Sequence, residues 1–193
     1  MTTSLLLTEF RRVTEFSDKD FARVLPLLEP LELKKGEHLF KAGEIANRVC
    51  FIEQGCMRQY YINSSGDERN IYFKAESGWC SELVSFLNNV PTELNLQALE
   101  DCKLLILNQK NWIYAITNIA PFTMYFIRAQ QETNLILKKR LAEATVETPE
   151  EKYTRFTKEE PQLLQRIPLF HIAAYLGMTP ETLSRIRNKT ARK

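Results

Sequence analysis

Four residues near the C-terminus have the types and spacing to read a base edge. Glu181, Ser184, Arg185 and Asn188 stand at i, i+3, i+4 and i+7, so on a helix they share one face. An arginine there can bond O6 and N7 of a guanine together, and a glutamate one turn earlier can accept from N4 of a cytosine. Thr179, Thr182, Arg187 and Lys189 flank this stripe with hydroxyls and cations suited to phosphate oxygens, and Arg192 and Lys193 extend the charge. The plainer alternative is a solvated helix face that reads nothing.

Such a stripe needs a platform, and the preceding residues have the pattern of one. With Leu169 as the first position of a twenty-residue unit, Ile172, Ala173 and Leu176 fall on the inner face of a first helix. Gly177 then stands where that helix ends and the chain must turn, a position that favours the left-handed conformation. Thr179 is placed to cap a second helix, Pro180 opens its first turn, and Leu183 and Ile186 point inward. This is helix-turn-helix spacing, although an αα-hairpin used only for packing fits the apolar positions as well. Charge favours recognition of a polyanion. From residue 161 onward six basic residues face one acidic residue, a net +5 that leaves −3 for the first 160 residues.

Other chemistries find little support in the 193 residues. Cys50, Cys56, Cys80 and Cys102 are scattered, with no CxxC and no histidine nearby, which argues against zinc or an iron–sulfur cluster and for reduced core thiols. His38 stands beside a turn and His171 inside the helix-turn-helix unit, so both read as structural. No nucleophile stands beside a base and no GxxxxGK loop occurs, so an enzyme is not expected. No metal or cofactor is expected either. No apolar run reaches the roughly 20 residues of a membrane span, and the opening MTTSLLLTEFRR lacks the basic start of a signal peptide. The expected location is the cytoplasm.

The elements that must carry these residues change period twice. Ser17 is a helix cap for DKDFARVLPLL. Residues 31–107 then fall into short alternating runs, ELKKGEHLFKAGE, RVCFIEQGCMRQYYI, RNIYFKAESG, TELNLQAL and CKLLIL. Gly36, Gly43, Gly55, Gly66 and Gly78 stand between or beside the runs, where tight turns call for positive φ. A rolled antiparallel β structure is expected, and the pattern fits a β sandwich too. From Pro121, expected as the first residue of a helix, PFTMYFIRAQQETNLILKKRLAEAT continues for about 24 residues, roughly 36 Å. Its stripe of Phe122, Tyr125, Phe126, Ala129, Thr133, Ile136 and Leu137 suits a second copy, or failing that the chain's own β domain. Thr148 with Pro149, Glu150 and Glu151 starts another helix running to about Lys158.

In this order the segments resemble the Crp/Fnr family of bacterial transcription regulators over essentially the full chain. KKGEHLFKAGE and FIEQGCMRQYY resemble the first hairpins of that family's β-roll, and GWCSELVSFLNNVPTELNLQALEDCKLLIL resembles the region of its phosphate-binding cassette. IAAYLGMTPETLSRIRNK matches most closely, with Glu181, Ser184 and Arg185 in the E..SR pattern of the Fnr-like branch. The resemblance implies an α+β chain, with a double-stranded β-helix (a jelly-roll-like sensor domain) over 1–120, a dimerisation helix over 121–145 and a helix-turn-helix domain over 146–193. It implies a cytoplasmic homodimer on inverted-repeat double-stranded DNA, with a small-molecule effector and RNA polymerase as further partners.

Departures from the family concern the effector. Relatives that bind cyclic AMP carry Gly-Glu-Leu and then an Arg-Ser or Arg-Thr pair, whose arginine meets the phosphate. Here the corresponding residues are Ser81, Glu82 and Leu83, then Thr92 and Glu93. Losing a buried charge-assisted partner costs roughly 2–5 kcal/mol, so tight cyclic AMP binding is not expected and Glu82 reads equally as a helix-capping carboxylate. The Fnr branch's cluster needs N-terminal cysteines, and none precedes Cys50. A helix-turn-helix unit without flanking β "wings" is expected. The competing expectation is a β-roll sensor that works by protein–protein contact, its helical tail a docking surface.

Overall fold

The computed structural model describes residues 3–144 and 146–190; Arg192 and Lys193, expected among the phosphate contacts, lie outside them. The chain opens with α1 (Thr3–Val13) and α2 (Asp18–Val24). The hydroxyl of Ser17 accepts from the Asp20 amide at 3.1 Å, as expected of its cap position. Eight strands follow among the described residues: β1 (Glu29–Leu33), β2 (His38–Phe40), β3 (Arg48–Gln54), β4 (Met57–Ile62), β5 (Glu68–Lys74), β6 (Trp79–Cys80), β7 (Asn95–Ala98) and β8 (Cys102–Asn108). A short helix, α3 (Leu83–Asn88), interrupts them between β6 and β7.

The strands form two antiparallel sheets ordered β1-β8-β3-β6 and β2-β7-β4-β5. Consecutive strands repeatedly cross from one sheet to the other, which is the winding of a jelly roll and decides against a simple meander sandwich. Cys50, Ile52, Met57, Leu96, Leu104 and Ile106 fill the space between the sheets. The runs that alternate least, RVCFIEQ and CKLLILN, lie side by side as β3 and β8 and are covered on both faces.

Gly36, Gly43, Gly55 and Gly66 take positive φ at the turns; Gly78 does not, and Ser77 beside it does, at φ 66°. Gly78 is needed for space instead, since a Cβ there would stand 2.8 Å from the carbonyl oxygen of Ala75.

Helices α4 (Gln109–Asn118) and α5 (Ala120–Ala144) follow the roll. Pro121 is the second residue of α5 rather than its first, still within the turn whose N–H groups lack helical partners. Helix α5 divides the expected stripe. Phe122 and Tyr125 are buried against α1 and α4, and Phe126 and Ala129 are partly covered. Beyond them Thr133, Ile136 and Leu137 are exposed, as are Leu135 and Leu141. The first half therefore packs by its apolar side chains on α1 and α4, whereas the second half meets the rest of the chain through charged groups, Lys139 with Glu159, Glu143 with Arg155, and Arg140 over the ring of Tyr175.

The last third is helical: α6 (Pro149–Glu159), α7 (Leu169–Leu176) and α8 (Pro180–Thr190). Thr148 and Glu151 close a reciprocal capping box on α6. No strand flanks α7 or α8 among the described residues. No described helix is long and apolar enough to cross a membrane.

Candidate functional site

Helices α7 and α8 have the geometry that their sequence spacing implied. Ile172, Ala173, Leu183 and Ile186 are buried together, and α7 ends at Gly177 in the left-handed conformation, φ 70°. The hydroxyl of Thr179 accepts from the Thr182 amide at 3.2 Å, capping α8. Leu183 is 0% exposed and Ile186 2%, whereas Glu181, Ser184, Arg185 and Asn188 all lie open on the opposite face. These four line one shallow groove, with Lys189 at its end. The N-terminal turn of α8 holds the Glu181 carboxyl below its ordinary range, through backbone and Thr179 hydrogen bonds, so it is an acceptor at neutral pH. Arg187 is exposed, Thr182 is partly so, and Lys189 lies 3.8 Å from Glu150 of α6, a loose and solvated pairing.

The residues expected to meet an effector divide between two places. Ser81, Glu82 and Leu83 lie on the wall of a cavity of about 640 Å³ that reaches from the roll to α5 and to the 3-10 turn Pro161–Leu163. Thr92 and Glu93 lie instead on a groove outside the roll, with Ile62 and Pro91, and only Leu94 borders both. Glu82 is the N-cap of α3; its two oxygens accept from the Val84 amide at 3.2 Å and the Ser85 amide at 2.6 Å. Thr92 is buried, and its hydroxyl accepts from the Leu94 amide at 3.0 Å.

A cyclic nucleotide fits this arrangement poorly. No arginine stands where the phosphate partner is expected; the residue there is Thr92, whose hydroxyl is turned to the backbone. The cations on the cavity wall are Arg12 and Lys74, and Arg12 is already held by Glu9 at 2.8 Å and Glu132 at 3.0 Å. The cavity is otherwise rich in rings, with Tyr72, Trp79, Tyr125 and Phe126 on its walls.

Sequence reasoning missed that α5 supplies one wall of this cavity, through Tyr125, Phe126, Gln130 and Thr133. It also passed over Arg58, which is 3% exposed on β4 and donates to Nδ1 of His171 at 2.9 Å. The only signal in the sequence was a charged residue inside a short strand-like run, MRQYYI, whose first four positions are buried in the structure.

Residues 30–118 match the cyclic nucleotide-binding domain family. No curated protein matches the sequence. Among solved structures, the c-di-GMP-responsive global regulator CLP of Xanthomonas campestris is 14% identical, with 91% of this chain and 92% of that one covered at a TM-score of 0.74. FixK2 from Bradyrhizobium japonicum is 17% identical, with coverage of 86% and 85% and a TM-score of 0.73. A candidate Crp/Fnr-family transcriptional regulator from Eubacterium rectale is 17% identical, with coverage of 92% and 85% and a TM-score of 0.69. The chain thus has the fold of these Crp/Fnr-type regulators, and the segment that matches the cyclic nucleotide-binding domain model is its β-roll.

Proposed function

We propose that the chain is a homodimeric, sequence-specific transcription regulator that sets α8 into the major groove of an inverted-repeat site. The observation that carries this reading is the two-sidedness of α8: Leu183 and Ile186 are buried while Glu181, Ser184 and Arg185 stand free in one groove. Arg185 reads a guanine and Glu181 a cytosine, with Ser184 between them. Thr179, Thr182, Arg187 and Lys189 hold the backbone on either side. In this division residues 1–120 sense, 121–145 dimerise and 146–193 bind DNA.

Dimerisation is supported by an exposed face of α5, where Ile127, Asn134, Leu137 and Leu141 recur at steps of seven, three and four. That is a heptad seam, with the asparagine at a position that can fix register. The cavity takes an effector other than cyclic AMP.

The test is selection of binding sites from random duplex DNA with purified protein, no added nucleotide and fixed salt. An inverted repeat with half-sites about 34 Å apart, one helical turn, is expected. Arg185→Ala should then cost about 1–3 kcal/mol per half-site and relax preference at one base pair. Lys189→Ala should weaken all sequences alike and flatten the salt dependence. If the two variants behave identically, the assignment of the reading face is wrong. If nothing is enriched, the helical tail is a protein-docking surface or needs its effector first, and addition of cell extract separates those outcomes.

A further inference from the structure

The helical third is docked on the roll. Cys56, Phe73 and Leu99 of the roll share one core with Tyr153, Phe156, Leu163 and Ile172. Into this apolar contact the chain sets a guanidinium. Arg58 donates from Nη1 to Glu68 Oε2 at 2.5 Å, to His171 Nδ1 at 2.9 Å and to Asn70 Oδ1 at 3.2 Å, and from Nε to Gln97 Oε1 at 2.8 Å. Asn70 returns a bond from Nδ2 to the backbone carbonyl of His171 at 2.9 Å. The ring of Tyr60 lies under the guanidinium, 3.9 Å from its centroid. A buried charge of this kind stabilises less than apolar packing of equal volume, but its hydrogen bonds admit one arrangement of the groups that make it. The histidine is a suitable partner because burial, and then Arg58 itself, press its pKa down to about 4, leaving a neutral ring that accepts at Nδ1.

Strand β4 has a second face. Successive residues of a strand point to opposite sides, so Gln59 looks away from Arg58, into the cavity wall, where its Nε2 donates to the Ser81 carbonyl at 3.3 Å. The β4–β5 pairing is irregular between Gln59 and Tyr60, the sort of defect that re-aims side chains. A second clamp closes beside the same cavity: Arg166 grips Glu76 of its wall at 2.8 and 2.9 Å and also pairs with Glu100.

The geometry points to β4 as a coupling element, in which Arg58 latches His171 of α7 and so ties the orientation of the α7–α8 module to the state of the cavity behind Gln59. For its functional half this rests on the reading of α8 as a DNA-contacting helix. The latched state is the DNA-competent one, because docking covers α7 and leaves the outer face of α8 open.

Three full-length variants test the latch. His171→Leu fills the space, removes the acceptor and leaves Arg58 its bonds to Gln97, Glu68 and Asn70. Asn70→Leu removes both the returning bond and one of the acceptors of Arg58. His171→Asn keeps an acceptor near Nδ1. Hydrogen exchange of the residue 169–176 amides is measured beside affinity for the selected site and for random duplex. His171→Leu and Asn70→Leu are each expected to speed α7 exchange about tenfold or more, the worth of one lost charge-assisted bond, with β3 and β8 unchanged. Selected-site affinity should fall by a similar factor with random duplex unaffected, and His171→Asn should restore both. Unchanged exchange in His171→Leu overturns the latch, and so does a His171→Asn chain as loose as His171→Leu, since packing alone would then be responsible. Faster exchange with full selected-site affinity overturns the coupling. If the wild type selects no site, the reading of α8 falls, and the exchange measurement still decides whether the latch holds α7.

Discussion

The pairing of Arg58 with His171 makes stability depend on pH in a window where few other groups titrate. Protonating the ring would set an imidazolium against a guanidinium 2.9 Å away in a buried contact. The charged groups facing it are Arg58 of β4 and Glu68 of β5, Asn70 is neutral, and α7 itself carries no other titratable side chain but Tyr175. Burial and Arg58 lower the pKa to about 4, against a partial lift from Glu68. An unfolded histidine titrates near 6.5. Below that value the unfolded chain binds a proton that the native chain refuses, so the contribution is complete above pH 6.5 and is lost as pH falls toward 4. The gap of about 2.5 pH units is worth about 3 kcal/mol in full and about 2 kcal/mol by pH 5. Glu68, held low by Arg58, begins to lose its own contribution only as pH falls through the ordinary carboxylate range, and the loss continues below it. His38 is also lowered, by its own burial and then Lys41, so wild type must be compared with His171→Asn. Urea unfolding at pH 7.5, 6 and 5 should show wild type losing about 2 kcal/mol more than the variant across that range. With two histidines in the chain, proton NMR titration can follow both rings directly. Parallel profiles, or a His171 ring that titrates near 6.5, would refute the reasoning.

Two further substitutions probe the scaffold. Gly55→Ala places a Cβ 2.6 Å from the Cys102 sulfur and 2.8 Å from the Asp101 carbonyl at φ 106°, so a loss of about 3 kcal/mol or more is expected in thermal unfolding; a melting point within a degree of wild type would show that the β3–β4 turn can relax. Leu141→Glu puts a charge on the exposed seam of α5, and light scattering should find monomers at concentrations where wild type is dimeric, whereas an unchanged mass would move the subunit contact elsewhere.

The strands were legible because each short apolar run ended at a glycine or polar turn, and α6 and α8 because their caps are written in Thr148 and Thr179. Where a residue's role was set by distant neighbours, the sequence said less. Gly78 has the composition of a turn glycine, but the positive φ fell on Ser77, and what Gly78 supplies is room beside the Ala75 carbonyl. The stripe of α5 from Phe122 to Leu137 is continuous in sequence, and only the presence of α1 and α4 beside its first half explains why burial stops near Ala129. The proposed effector residues were gathered by linear correspondence with a motif. The chain's winding put Thr92 and Glu93 on the outside of the roll and Ser81, Glu82 and Leu83 beside a cavity that α5 completes. Arg58 and His171 stand 113 residues apart, and no local pattern could have joined them.

The placement of the cysteines has a consequence for how the unfolding of this chain can be watched. All four are buried in the roll, and none follows Cys102. Burial pushes the Cys56 thiol up to about 12 and Cys102 to about 11, and the close approach of Cys80, together with burial, raises Cys50. The nucleophile is the thiolate, so in the native chain an alkylating reagent finds almost nothing to attack, while a roll that opens offers four ordinary thiols at once. Both tryptophans, Trp79 and Trp112, also precede α5. Labelling of Cys50, Cys80 and Cys102 and indole fluorescence therefore report on the roll and α4, while the helical signal in circular dichroism includes α6–α8. Helices that melt away from an intact roll would lower the helical signal and uncover Cys56, whose core they share, while Cys50, Cys80 and Cys102 stay protected between the sheets, so one sample distinguishes release from collapse.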